Sequence, residues 1–97
     1  MPVKPMRISP SAMSNIQEIF DSVADYTGSV KSVKKLQTEF FRTFELLSRI
    51  PKSGKQIGNG RRQVFCRHYR IVYREYDDRV EIITVIHSRR KYPLLSS

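Results

Sequence analysis

Two apolar stripes at helical spacing, separated by about three residues, constrain this chain more than any other feature. Ala12, Ile16, Ile19, Phe20 and Val23 recur with the period of a helix, and Glu18, Asp21 and Asp25 fall between them. Ser9-Pro10 opens this helix by mechanism, because a serine oxygen can cap orphan amides and a proline at the first helical position loses no bond. It should end near Tyr26, where Gly28 supplies a left-handed stop and Ser29 can cap the next helix. Val30, Val33, Leu36, Phe40, Phe44 and Leu47 form the second stripe, which Pro51 ends. A connection this short forces the helices into an antiparallel hairpin with facing stripes. Phe40 and Phe44 then belong to the core, whereas Phe41 lies off the stripe, placed to meet a protein partner or a second copy.

The remaining elements read as strands. Val3 to Ile8 is short and holds Pro5, which suits an edge strand whose missing donor faces solvent. Lys52 to Gly60 reads as a mobile basic loop without secondary structure. From Arg61 the period shifts towards two, giving strands over Gln63 to Cys66, Tyr69 to Tyr76 and Val80 to His87, with Asp77-Asp78 as a hairpin turn. A two-residue turn there pairs Arg74 with Glu81, Val72 with Ile83, Arg70 with Val85, and His68 with His87. Tyr69, Ile71, Tyr73, Val80, Ile82, Thr84 and Ile86 then face the helices, while His68, Arg70, Arg74, Glu81 and His87 share the opposite, basic face with Val72, Ile83 and Val85. The expected class is α+β: an N-terminal edge strand and an antiparallel helical hairpin packed on a mainly antiparallel sheet, in the order β-α-α-β-β-β. One domain spans residues 1–97, with 93–97 as a flexible tail.

Charge narrows the function. The formal charge of +9 is uneven: residues 1–48 carry six Lys/Arg against five Asp/Glu, and residues 49–97 carry twelve against four. Such a concentration favours a polyanionic partner through long-range attraction and counterion release. No apolar run is long enough to cross a bilayer, and the first residues lack the apolar core of a secretory signal, so a cytoplasmic location is expected. A single cysteine, Cys66, excludes an internal disulfide and a cysteine-built zinc site. The acidic residues show no metal-ligand spacing, and no glycine-rich phosphate loop follows a strand. No metal, cofactor or small-molecule substrate is implied.

Several strings in this order resemble the RelE/ParE superfamily of toxins from bacterial type II toxin–antitoxin systems. Ile8-Ser9-Pro10 before the Ile16 and Ile19-Phe20 helix is similar to that family's opening, and Phe44-Glu45-Leu46-Leu47 running into Ile50-Pro51 and Gly54 resembles its helix-two exit. Tyr69-Arg70-Ile71-Val72-Tyr73 resembles its central-strand motif, and Val80-Glu81-Ile82 leading to Val85-Ile86-His87-Ser88-Arg89-Arg90 its last strand. The resemblance covers nearly the whole chain. It implies a small toxin held inactive by a cognate antitoxin whose extended or helical segment wraps its surface. ParE-like members poison DNA gyrase without a conserved catalytic set; RelE-like members cleave mRNA in the ribosomal A site. A shared scaffold does not choose between these chemistries.

RNA cleavage without a metal needs a base for the 2′-hydroxyl, cations for the phosphorane and an acid for the leaving oxygen. By resemblance the candidates are Arg70, His87, Arg89 and Tyr92, with Arg70 and Arg89 holding phosphate. RelE-like enzymes carry a Lys-x-Lys pair before the Tyr-Arg motif, where this chain has Arg61, Arg62 and Gln63, which supply charge without a lysine able to act as base. Tyr92 stands three residues after Arg89 and precedes Pro93, a departure from RelE spacing. The expectation is therefore a ParE-like toxin that engages gyrase, with Arg61, Arg62, Arg70, Arg74, Arg89 and Arg90 as target contacts. A ribosome-dependent endoribonuclease is the alternative, followed by a basic nucleic-acid-binding module without toxicity.

Overall fold

Ser9 opens the first helix as its position predicts: its Oγ accepts from the Ala12 N–H at 3.0 Å, and Pro10 occupies the first turn. The computed structural model describes residues 3–88. Strand β1 (Met6–Ile8) leads into helix α1 (Pro10–Thr27), and helix α2 (Val30–Arg49) follows. Gly28, at φ 63°, ends α1 in the left-handed conformation that glycine adopts without a Cβ penalty, and Ser29 caps α2 through the Ser32 N–H. A 3₁₀ turn (Pro51–Ser53) precedes strands β2 (Lys55–Gly58), β3 (Arg61–Cys66), β4 (Tyr69–Glu75) and β5 (Val80–His87).

The five strands form one sheet in the order β1-β5-β4-β3-β2, with β1 parallel to β5 and the other neighbours antiparallel. Both helices pack on one face. Ala12, Ile16, Leu36, Phe40 and Leu47 meet Cys66, Ile71, Tyr73, Val80, Ile82 and Val85 in a single core, which leaves the other sheet face without a helix among the described residues. Phe40 sits at its centre, with ring centroids 5.7 Å from Phe20, 6.2 Å from Phe44 and 5.7 Å from Tyr69. No helix of the described residues is long and apolar enough to cross a membrane.

Two expectations need correction. The segment 52–60 is not structureless: Lys55 and Gln56 pair with Gln63 and Arg62, which makes β2 a fifth strand at the sheet edge. Backbone pairing supplies what its sparse apolar content does not signal. The β4–β5 register follows the expected pairing from Glu75↔Val80 to Tyr73↔Ile82, then slips by one residue, because Ile83 is an extra residue and Val72 pairs with Thr84. A bulge of this kind frees ladder groups that need other partners. Ser9 Oγ donates to the Ile83 carbonyl at 2.9 Å, and Asn15 Oδ1 accepts from Thr84 Oγ1 at 2.7 Å and from the Val85 N–H at 3.2 Å.

The slip reassigns the end of β5. Val85 becomes the buried partner of Ile71, Ile86 moves opposite Arg70, and His87 moves opposite Tyr69. Thr84 and Ile86, expected in the core, are therefore not part of it. Val72 does lie on the outer face, yet it is fully buried there between Gln63 and Thr84. His68 belongs to the tight turn between β3 and β4, where Arg67 has φ 55°. The tail expected at 93–97 lies outside the described residues.

Candidate functional site

Alternation along β3 and β4 puts Arg61, Gln63 and Phe65 on the same face as Arg70, Val72 and Arg74, with Arg61 paired to Arg74 and Phe65 to Arg70. This is the face without helices. Arg7 and Lys55 join it through their pairing with Glu81 and Gln63. Its cations are poorly compensated: no ion pair involves Arg61, Arg70 or Arg74 among the described residues. The Arg70 Nη2 donates to the Ser88 carbonyl at 3.0 Å, while its Nε and Nη1, like the Arg61 Nε, are buried without an acceptor.

Aromatic rings accompany these charges. The Arg70 guanidinium lies 5.7 Å from the Phe65 centroid, and that ring is 56% exposed. Tyr76 is approached by Arg74 at 5.2 Å and by Arg79 at 3.9 Å. Arg79 is itself partnered by Asp78 at 2.9 Å and Glu81 at 3.7 Å, so it adds little free charge. The surface can attract an anion and offer a flat ring beside it.

Arg62 behaves differently. It shares the helix side with Tyr73, and its Nη1 donates to the carbonyls of Gly54 at 2.8 Å and Lys52 at 3.4 Å. It braces the loop that precedes β2. Tyr73 holds the same loop: its hydroxyl donates to the Pro51 carbonyl at 2.7 Å and accepts from the Gly54 N–H at 2.8 Å. Burial pushes the Tyr73 phenol above its ordinary range, against the lowering effect of its hydrogen bonds, so it stays neutral at physiological pH. Sequence patterning places Tyr73 in the core and gives no sign of this lock.

Of the nuclease candidates, Arg70 and His87 lie among the described residues, and the structure does not bring those two onto one face. The bulge leaves His87 on the Tyr69 side, its ring 5.9 Å from Tyr69 and 6.4 Å from His68, with Asn15, Glu18 and Ser22 of α1 lining the same shallow depression. Arg70 projects from the opposite face. Arg89, Arg90 and Tyr92 lie outside the described residues. Cys66 is buried in the core, as a small strand residue would be, and the described residues hold no group of three or more histidine, cysteine or acidic side chains that could bind a metal.

Comparison with known proteins bears on most of the chain. Residues 6–92 match the family described as the ParE toxin of the type II toxin–antitoxin system parDE. No curated protein matches. Among solved structures, the chromosomal ParDE toxin–antitoxin system from P. aeruginosa is similar with a TM-score of 0.75 at 12% identity, covering 88% of this chain and 96% of that one. The RelBE2 toxin–antitoxin complex from Mycobacterium tuberculosis is similar with a TM-score of 0.62 at 22% identity, covering 90% and 93%. At such identities the likeness is one of fold.

Proposed function

The chain belongs to the ParE toxin family of type II toxin–antitoxin systems, and from that premise we propose that it arrests bacterial growth by poisoning DNA gyrase in the cytoplasm. One domain over residues 1–97 carries this activity. A cognate antitoxin neutralises it, and the exposed Phe41 and Met13 on the helical hairpin offer that partner an apolar contact. The target contacts are Arg61, Arg70 and Arg74 on the open sheet face, together with Arg89 and Arg90; Arg62 supports them by holding the loop before β2.

Support for a gyrase poison over an endoribonuclease comes chiefly from one observation. The β5 bulge leaves His87 and Arg70 facing opposite sides of the sheet. A general acid or base must stand within hydrogen-bond reach of the proton it moves, beside the cation that holds the phosphate. Opposite faces are a poor arrangement for two groups that would act on one scissile phosphate, which supports the gyrase reading. The absence of a lysine pair at Arg61-Arg62 points the same way.

Expression without a partner protein checks this reading. Growth should stop, with filamentous cells and an induced DNA-damage response, and His87→Ala should arrest growth as strongly as the parent. Loss of toxicity in a folded His87→Ala protein, accompanied by transcripts shortened at ribosome-bound codons in the parent, would replace the gyrase reading with ribosome-dependent cleavage.

A further inference from the structure

We infer that the open sheet face binds single-stranded nucleic acid directly, with Phe65 as the stacking platform and Arg61, Arg70 and Arg74 as the phosphate contacts. Direct contact with a DNA strand would deepen the gyrase reading, on which it rests for its biological setting, by making the nucleic acid part of what the toxin recognises.

Three observations converge on this ligand. The first is charge: Arg61, Arg70 and Arg74 form no ion pair among the described residues, although Glu81 stands across from Arg74. Uncompensated cations on one face favour a polyanion, and phosphate suits the planar guanidinium fork. The second is Phe65. This phenylalanine, 56% exposed near the end of β3 where β2 no longer pairs with it, stands directly opposite Arg70 and offers an apolar ring for a ligand to cover. A base stacked on its ring would remain within reach of the Arg70 guanidinium, 5.7 Å from the ring centroid.

The third is shape. Both described helices lie on the other side, so among the described residues the face presents neither a helix nor a protruding ribbon to a DNA groove, the usual means of reading a duplex. A sheet carrying an exposed aromatic between cations suits unpaired bases, whose faces are free to stack. Arg61 and Phe65 are four residues apart on one strand, about 13 Å at 3.3 Å per residue, which gives room for a strand to run from one to the other. An acidic protein segment is the competing occupant, but it would neutralise the arginines without needing the ring.

Fluorescence anisotropy of labelled dodecathymidylate with the purified full chain tests this, with its duplex on dodecadeoxyadenylate and the wild-type chain's gyrase inhibition measured in parallel. The single strand should bind more tightly than the duplex, and affinity should fall steeply between 50 and 200 mM salt, two concentrations set by the expected counterion release (roughly that range). Phe65→Ala should weaken binding about 5- to 150-fold, the equivalent of one stacked base at roughly 1–3 kcal/mol, and Phe65→Trp should restore it. Phe65 is exposed, so both variants should keep the parent's thermal midpoint. No binding at the lower salt, equal affinity for duplex, or an unchanged affinity in folded Phe65→Ala overturns the inference. If gyrase is inhibited while the oligonucleotide is ignored, only nucleic-acid contact falls; if the oligonucleotide binds as described and gyrase is untouched, only the gyrase reading falls.

Discussion

Phe40→Ala should destabilise this protein by about 4 kcal/mol, the usual cost of emptying a phenylalanine site in a packed core. Phe40 is 2% exposed and touches Phe20, Phe44 and Tyr69, so its removal leaves a cavity bordered by rings from both helices and from β4. Those rings cannot all move inward without breaking their other contacts. Domains of this size have a net stability of roughly 5–15 kcal/mol. A loss that large should therefore lower the thermal midpoint by roughly 16–32 °C, at about 4–8 °C per kcal/mol. The adjacent Phe41 is 65% exposed, and Phe41→Ala should change stability by no more than about 0.5 kcal/mol. Urea denaturation followed by circular dichroism distinguishes the two. Equal losses would mean that α2 presents a different face to the sheet.

Gly54→Ala should cost on the order of 3 kcal/mol although it adds one methyl group. A Cβ at this position would stand 2.4 Å from the Tyr73 hydroxyl and 2.8 Å from the Gln63 carbonyl oxygen, both closer than real Cβ contacts occur. Overpacking of this kind costs roughly 1–3 kcal/mol. Relief by moving the tyrosine is blocked, because its hydroxyl bonds Pro51 and Gly54 and its ring is fully buried. Displacing it would leave buried polar groups unmatched, at about 1–3 kcal/mol each. Tyr73→Phe alone should cost roughly 1–3 kcal/mol by orphaning the Gly54 N–H. The double variant should lose less than the sum of the two, since the phenylalanine removes the atom the new methyl strikes first. Strict additivity would show that the clash is relieved through β3 instead.

The helical half of the fold was legible because each boundary has a local cause. Ser9, Pro10, Gly28 and Ser29 act on backbone groups within a few residues of themselves, and the apolar stripes report which side is buried. Strand β2 was not legible, since Lys55–Gly58 offers Ile57 as its only large apolar residue and owes its conformation to pairing with β3. The β5 bulge was hidden for a related reason. Ile82-Ile83-Thr84-Val85-Ile86 is apolar or β-branched throughout, so its pattern favours neither face, and the choice is made by Ser9 and Asn15, some seventy residues away along the chain. That one-residue slip carries Val85 into the core and His87 away from the arginines.

The candidate site divides along the same line. Charge in the second half of the chain signals a cationic surface, and Arg61, Arg70 and Arg74 share one face. Charge alone groups Arg62 with them, because it does not report which way a side chain points; the loop carbonyls it serves belong to residues whose position only the folded chain defines. Nothing in the alternation of β3 singles out Phe65. Its register opposite Arg70 is what gives it a different meaning.

Incubation of the purified chain with gyrase, ATP and supercoiled plasmid, followed by detergent and protease, measures the proposed poisoning directly. Linear plasmid should accumulate with rising toxin, equally for the parent and His87→Ala, and should vanish when gyrase is omitted. Plasmid that stays intact, while messenger RNA is cut in a translating ribosome preparation by the parent but not by His87→Ala, would contradict it.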